Sequence, residues 1–121
     1  MKIVAAFLTP LFASALLGMV PAEVSAHGYL VDSFPGAKTH LAASPQRIRL
    51  RFSIRADALY STLNLEADDG SVLATQIQRD ASRDLQMSAP QLPPGRYHVR
   101  YRVLSTDGDL VQGKVDFEID D

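Results

Sequence analysis

The sequence predicts an all-β, immunoglobulin-like domain: a single Greek-key β-sandwich or barrel of about seven strands. Three observations carry this. Apolar and polar residues alternate with period two in run after run. Turn-forming residues interrupt those runs roughly every 8–15 residues. The alternating apolar faces pair into one core, in a chain with room for only one domain.

The elements follow in order. Tyr29 to Phe34 reads as an edge-like first strand. Thr39-His40-Leu41 reads as a loop, with His40 exposed. Arg47 to Phe52 is the clearest strand, with arginines on one face and Ile48, Leu50 and Phe52 on the other. Residues Ala56 to Ser61 could form one short helical turn. Leu63 and Leu65 alternate with Thr62, Asn64 and Glu66, and Asp68-Asp69-Gly70 then turns the chain as a hairpin. Leu85 and Met87 mark a shorter strand, and Pro90 to Gly95 is a rigid connection. Tyr97, Val99, Tyr101 and Val103 form the inward face of the next strand, with His98 pointing the other way. Ser105 to Asp109 is a second tight turn, leading into a strand with Val115, Phe117 and Ile119 inward. The stripes Arg47-Arg49-Arg51 and Arg100-Arg102 read as solvated sheet faces rather than a docking surface for an acidic partner.

The N-terminus reads as a secretory signal peptide. Met1-Lys2 precedes an apolar run from Ile3 to Val20, and the small residues Val24 and Ala26 prepare a cut before His27. Pro10, Ser14 and Gly18 interrupt the run, which favours cleavage over an uncleaved anchor. The expected organisation is a signal peptide over 1–26 and one β-sandwich domain over 27–121. Cleavage removes Lys2 and Glu23 together, so the net charge stays at −2 and gives no pull towards nucleic acid or anionic lipid. The chain has no cysteine, which excludes disulfides, thiolate metal ligation and thiol catalysis. No nucleophile elbow, phosphate-cradling glycine loop or His-Glu-x-x-His motif occurs, and a non-enzymatic protein is expected.

Cleavage after Ala26 would give His27 a free α-amine beside its imidazole. With Nδ1 as the ring donor, the two nitrogens close a six-membered chelate ring on one metal ion. Cu(II) suits such a site, since it favours nitrogen and oxygen in a tetragonal plane and tops the divalent affinity order.

Several segments resemble the CopC family. They begin with His27-Gly28-Tyr29-Leu30, Ser33-Phe34-Pro35, Leu41 to Pro45 and Ile48 to Ser53. They continue with Leu92 to Tyr97, Val99 to Gly108 and Gly113 to Phe117, in order over nearly the whole of 27–121. The resemblance implies an exported, periplasmic copper-binding sandwich linked to copper resistance or uptake, often working with a CopD-like membrane protein. It also implies a Cu(II) site built from the N-terminal His and from an Asp and a His in a Ser-x-Asp-Gly-His turn. His27 matches the first ligand and Asp107 the Asp. The family's second His falls at Asp109, so the turn here is Asp-Gly-Asp.

Two further departures stand out: an acidic residue after the family's Phe-Ser pair is Ile54 here, and the usual Trp is Tyr101. Met87 is the only methionine after residue 26, so a cuprous site is not expected. The expected ligands are therefore His27, Asp107 and Asp109. An alternative reading is a sandwich of this family with a degenerate metal site, acting through a membrane or periplasmic partner. A third, an oxidative copper enzyme with a histidine brace, needs a second imidazole that neither His40 nor His98 is placed to supply.

Overall fold

The computed structural model describes residues 28–121, and the predicted signal peptide lies outside them. The strands are β1 (Leu30–Phe34), β2 (Thr39–Leu41), β3 (Arg47–Ala56), β4 (Thr62–Ala67), β5 (Val72–Ile77), β6 (Ser82–Ser88), β7 (Gly95–Leu104) and β8 (Leu110–Ile119). They form a three-stranded sheet, β1-β3-β6, and a five-stranded sheet, β2-β8-β7-β4-β5. The sandwich is open rather than a closed barrel.

Period-two alternation does most of the assembly. In β3, Ile48, Leu50 and Phe52 are buried, while Arg47, Arg49 and Arg51 are exposed on the outer face. The inner faces of β4, β6, β7 and β8 supply Leu63, Leu65, Leu85, Met87, Val99, Val103, Val115 and Phe117 to the same core. Each fully buried side chain of this size contributes roughly 1.5–3 kcal/mol by leaving water. Tyr97 stacks on Phe117, with ring centroids 5.6 Å apart, and its hydroxyl donates to the Pro93 carbonyl, which ties the Pro90–Gly95 connection to the core.

The structure departs from expectation at two places. Among the described residues there are eight strands, one more than the approximate seven, because Thr39–Leu41 is not a loop but a three-residue strand, parallel to β8 and pairing His40 with Glu118. A strand so short, mostly exposed, has no alternation long enough to read. The helical turn at Ala56 to Ser61 does not form, and the segment is a run of bends between β3 and β4. Leu59 there takes positive φ (71°), outside the right-handed helical region, and its amide donates to the Gln78 carbonyl beside β5 instead.

One irregularity shapes the end of the sandwich that carries the β7–β8 turn. β3 pairs with β6 in regular register from Arg47 to Arg51, then slips, and resumes only at Ala56. Beyond the slip Ser53, Ile54 and Arg55 have no register partner on β6; the Arg83 side chain of β6 still donates to the Ser53 carbonyl, while the Ser53 amide and the Arg55 carbonyl bond to other segments.

Candidate metal centre

The end of β3 beyond the slip gathers two distant parts of the chain. The Tyr29 amide donates to Ser53 Oγ (3.0 Å), and the Ser53 amide donates to the Tyr29 carbonyl (2.9 Å). Gly28 lies against Ile54 so closely that a Cβ at Gly28 would fall 2.1 Å from Ile54 Cγ1. Only a residue without a side chain passes there. One residue further along β3, the Arg55 carbonyl accepts from the Thr106 amide (3.0 Å), and Ala56 bridges Ser105. The segment entering β1 and the β7–β8 hairpin turn therefore share one end of the sandwich, joined through consecutive residues of β3.

The turn is built on a buried hydroxyl. Ser105 is 3 % exposed, and its Oγ accepts from the amides of both Asp107 (3.2 Å) and Asp109 (3.0 Å). The Ser105 amide donates to the Asp109 carbonyl (2.8 Å), and the Gly108 amide donates to the Ser105 carbonyl (2.9 Å). Gly108 takes φ +94°, which a side chain would strain, so the Asp-Gly-Asp order matches the backbone shape. Asp107 is exposed and Asp109 half-buried. Of the three predicted ligands, the structure holds these two on one short turn, and His27 lies outside the described residues. Ile54, where the resemblance expects an acid, stands between Gly28 and the residue that binds the turn. Tyr101 meets Phe52 edge-on at 5.1 Å beneath this end, and burial raises its hydroxyl pKa.

A second concentration of ionisable groups lies on the outer face of the five-stranded sheet, towards the opposite end of β7 and β8. His98 faces outward as its parity predicts, but it is not solvated: its side chain is 18 % exposed and clasped by two carboxylates. Nδ1 lies 2.6 Å from Asp116 Oδ1, and Nε2 lies 3.0 Å from Asp68 Oδ1. Lys114 approaches the same Asp116 oxygen at 3.7 Å. Two strands away, His40 Nδ1 lies 2.8 Å from Asp120 Oδ1. Reasoning along the sequence missed both groupings. Alternation along β8 puts Asp116 and Glu118 outward, but only the register of β8 against β7 and β2 places an imidazole beside each.

The clasp makes stability pH-dependent. The hydrogen bond with Asp116, aided by Asp68, raises the His98 pKa, and the same contact lowers that of Asp116. The histidine contribution is complete below its ordinary pKa and disappears as pH rises through the raised value. The carboxylate contribution is complete above its ordinary value and disappears as pH falls through the lowered one. Their sum is largest between about pH 4 and pH 6.5. His98→Asn should therefore lower the urea midpoint more at about pH 5.5 than at about pH 8. Equal losses at the two values would contradict a charged clasp.

Comparison with known proteins agrees with the fold. The CopC domain matches residues 30–120. The crystal structure of CopC from Methylosinus trichosporium OB3b is similar at TM-score 0.72 and 41% identity, covering 78% of this chain and 94% of that one. PcoC, a methionine-rich copper resistance protein from Escherichia coli, is similar at TM-score 0.64 and 28% identity, covering 78% and 99%. Protein YobA from Escherichia coli K12 is 28% identical over 114 residues, which is 89% of this chain and 92% of that protein. With a family match across most of its length and a shared two-sheet architecture, the chain belongs to the CopC family.

Proposed function

We propose that this protein binds one Cu(II) as cargo in the periplasm, for copper resistance, homeostasis or delivery. The ligands in this reading are His27, through α-amine and imidazole, with Asp107 and Asp109. The observation that carries it is the bracing of Gly28 and Thr106 by neighbouring residues of β3, Ile54 and Arg55. His27 immediately precedes Gly28 in the sequence, and Gly28 sits at the end that carries the Asp-Gly-Asp turn, which supports His27 as a ligand in this reading.

The donor set fits the ion. Two nitrogens and two carboxylate oxygens suit a tetragonal Cu(II) site, with oxygen the weaker choice where the family places imidazole. Export with cleavage before His27 is part of the proposal, because only a free amine completes the chelate. The amine must lose a proton to bind, so affinity falls on acidification. The domain would hand its ion to a partner, for which a CopD-like membrane protein is the family's usual candidate.

Substitution of the turn carboxylates tests their role. Asp107→Asn and Asp109→Asn should each weaken Cu(II) binding, and Asp109→His should strengthen it, in a titration against a competing chelator. Unchanged affinity in all three variants would remove the turn from the site. The Ile54 position favours a second reading, a sandwich whose metal site has decayed and which works through a protein partner. In that case His27→Ala would leave partner capture intact.

A further inference from the structure

We propose that His40, Glu118 and Asp120 form a second divalent-cation site, on the outer face of the five-stranded sheet and separate from the hairpin turn. One imidazole nitrogen and one oxygen from each carboxylate all lie within 4.8 Å of one another, a spacing that a single ion can span. The site lies far from Asp107 and Asp109: β8 runs ten residues from the turn to Ile119, about 30 Å at the usual strand rise.

The backbone fixes all three positions. Parallel pairing of β2 with β8 sets His40 beside Glu118. The Asp120 amide donates to the Leu41 carbonyl (2.9 Å), which holds Asp120 next to the same histidine. The three groups are not spent on the core: His40 and Asp120 side chains are 59% and 50% exposed. The cleft beside them, lined by Lys38, His40, Asp68, Arg96, His98 and Glu118 among others, gives an ion access from solvent.

One nitrogen and two hard oxygens define the class of ion. The set suits a borderline divalent metal such as Zn(II), or Cu(II) in excess, and disfavours cuprous copper, which wants sulfur. Three protein ligands leave a coordination position open to water or to a ligand from another molecule. Without the five-atom reach of an amine–imidazole chelate, the site would fill after the one at the hairpin. One cation competes with it: Arg96 Nε lies 3.6 Å from Glu118 Oε1.

Zn(II) titration of the full processed protein, followed by ¹⁵N NMR, tests the assignment. Saturable shifts are expected in the His40 ring nitrogens and in the amides of Glu118 and Asp120. They should be lost in His40→Ala and in Asp120→Asn, both surface changes, with core resonances unmoved. Arg96→Ala should make them saturate at lower Zn(II). His27→Ala should leave them as they are, so failure at the hairpin site and failure here are separable. A His40 ring that does not respond, or shifts at Glu118 and Asp120 that survive His40→Ala, would overturn the proposal.

Discussion

His27→Ala in the processed protein should weaken Cu(II) binding by on the order of 10²–10⁴-fold, without altering the fold. The magnitude comes from chelation. Once the α-amine holds the ion, the imidazole of the same residue binds it as an intramolecular partner at high effective concentration, and linkage of this kind is worth about that factor. Alanine keeps the amine and removes the ring. The remaining donors, one amine and the carboxylates of Asp107 and Asp109, contain no second nitrogen to set the tetragonal plane that Cu(II) prefers. Competition titration of the two proteins, with the cleavage point verified by mass, measures the ratio. A ratio near one would mean that the leading residue is not a ligand.

Phe52→Ala should destabilise the domain by about 3–5 kcal/mol, the usual cost of removing a buried aromatic ring. Phe52 is 1% exposed and meets Tyr101 edge-on across the two sheets. Its loss removes transfer free energy, leaves a cavity that the sheets cannot close, and abandons the aromatic pair. A domain of this size has about 5–15 kcal/mol in total, so the variant approaches the limit of folding at room temperature. No cysteine is available to offset the loss with a disulfide. Urea unfolding checks the figure, with Val31→Ala as a control: Val31 is 55% exposed on β1, and its truncation should stay within about 0.5 kcal/mol. A Phe52→Ala cost below about 1 kcal/mol would contradict a core organised around this ring.

How far the sequence reveals this molecule depends on the range of the interaction concerned. Alternation is local, so the faces of β3, β4, β7 and β8 were legible, and so were the turns at Gly70 and Gly108, which take positive φ (89° and 94°). The strand β2 was not legible, because three residues carry no period and its reason to extend is β8, almost eighty positions later. The Asp-Gly-Asp turn could be read as a turn, and the resemblance marked it as a site. What could not be read was the slip in β3 after Arg51, which brings Gly28 and Thr106 to adjacent residues. The same limit hid the partners of His98. Parity gave its direction correctly, but the carboxylates on either side come from β8 and from the β4–β5 hairpin, through pairings that no local pattern encodes.

Electron paramagnetic resonance of the processed protein, loaded with one equivalent of Cu(II), tests the central claim most directly. Coordination by His27 predicts a tetragonal spectrum with nitrogen coupling that changes when histidine is labelled with ¹⁵N. In His27→Ala the imidazole part of the coupling should disappear, leaving only that of the amine, whereas variants of His40 and His98 should keep both parts. A spectrum without histidine coupling, or one that His27→Ala leaves unaltered, would contradict it.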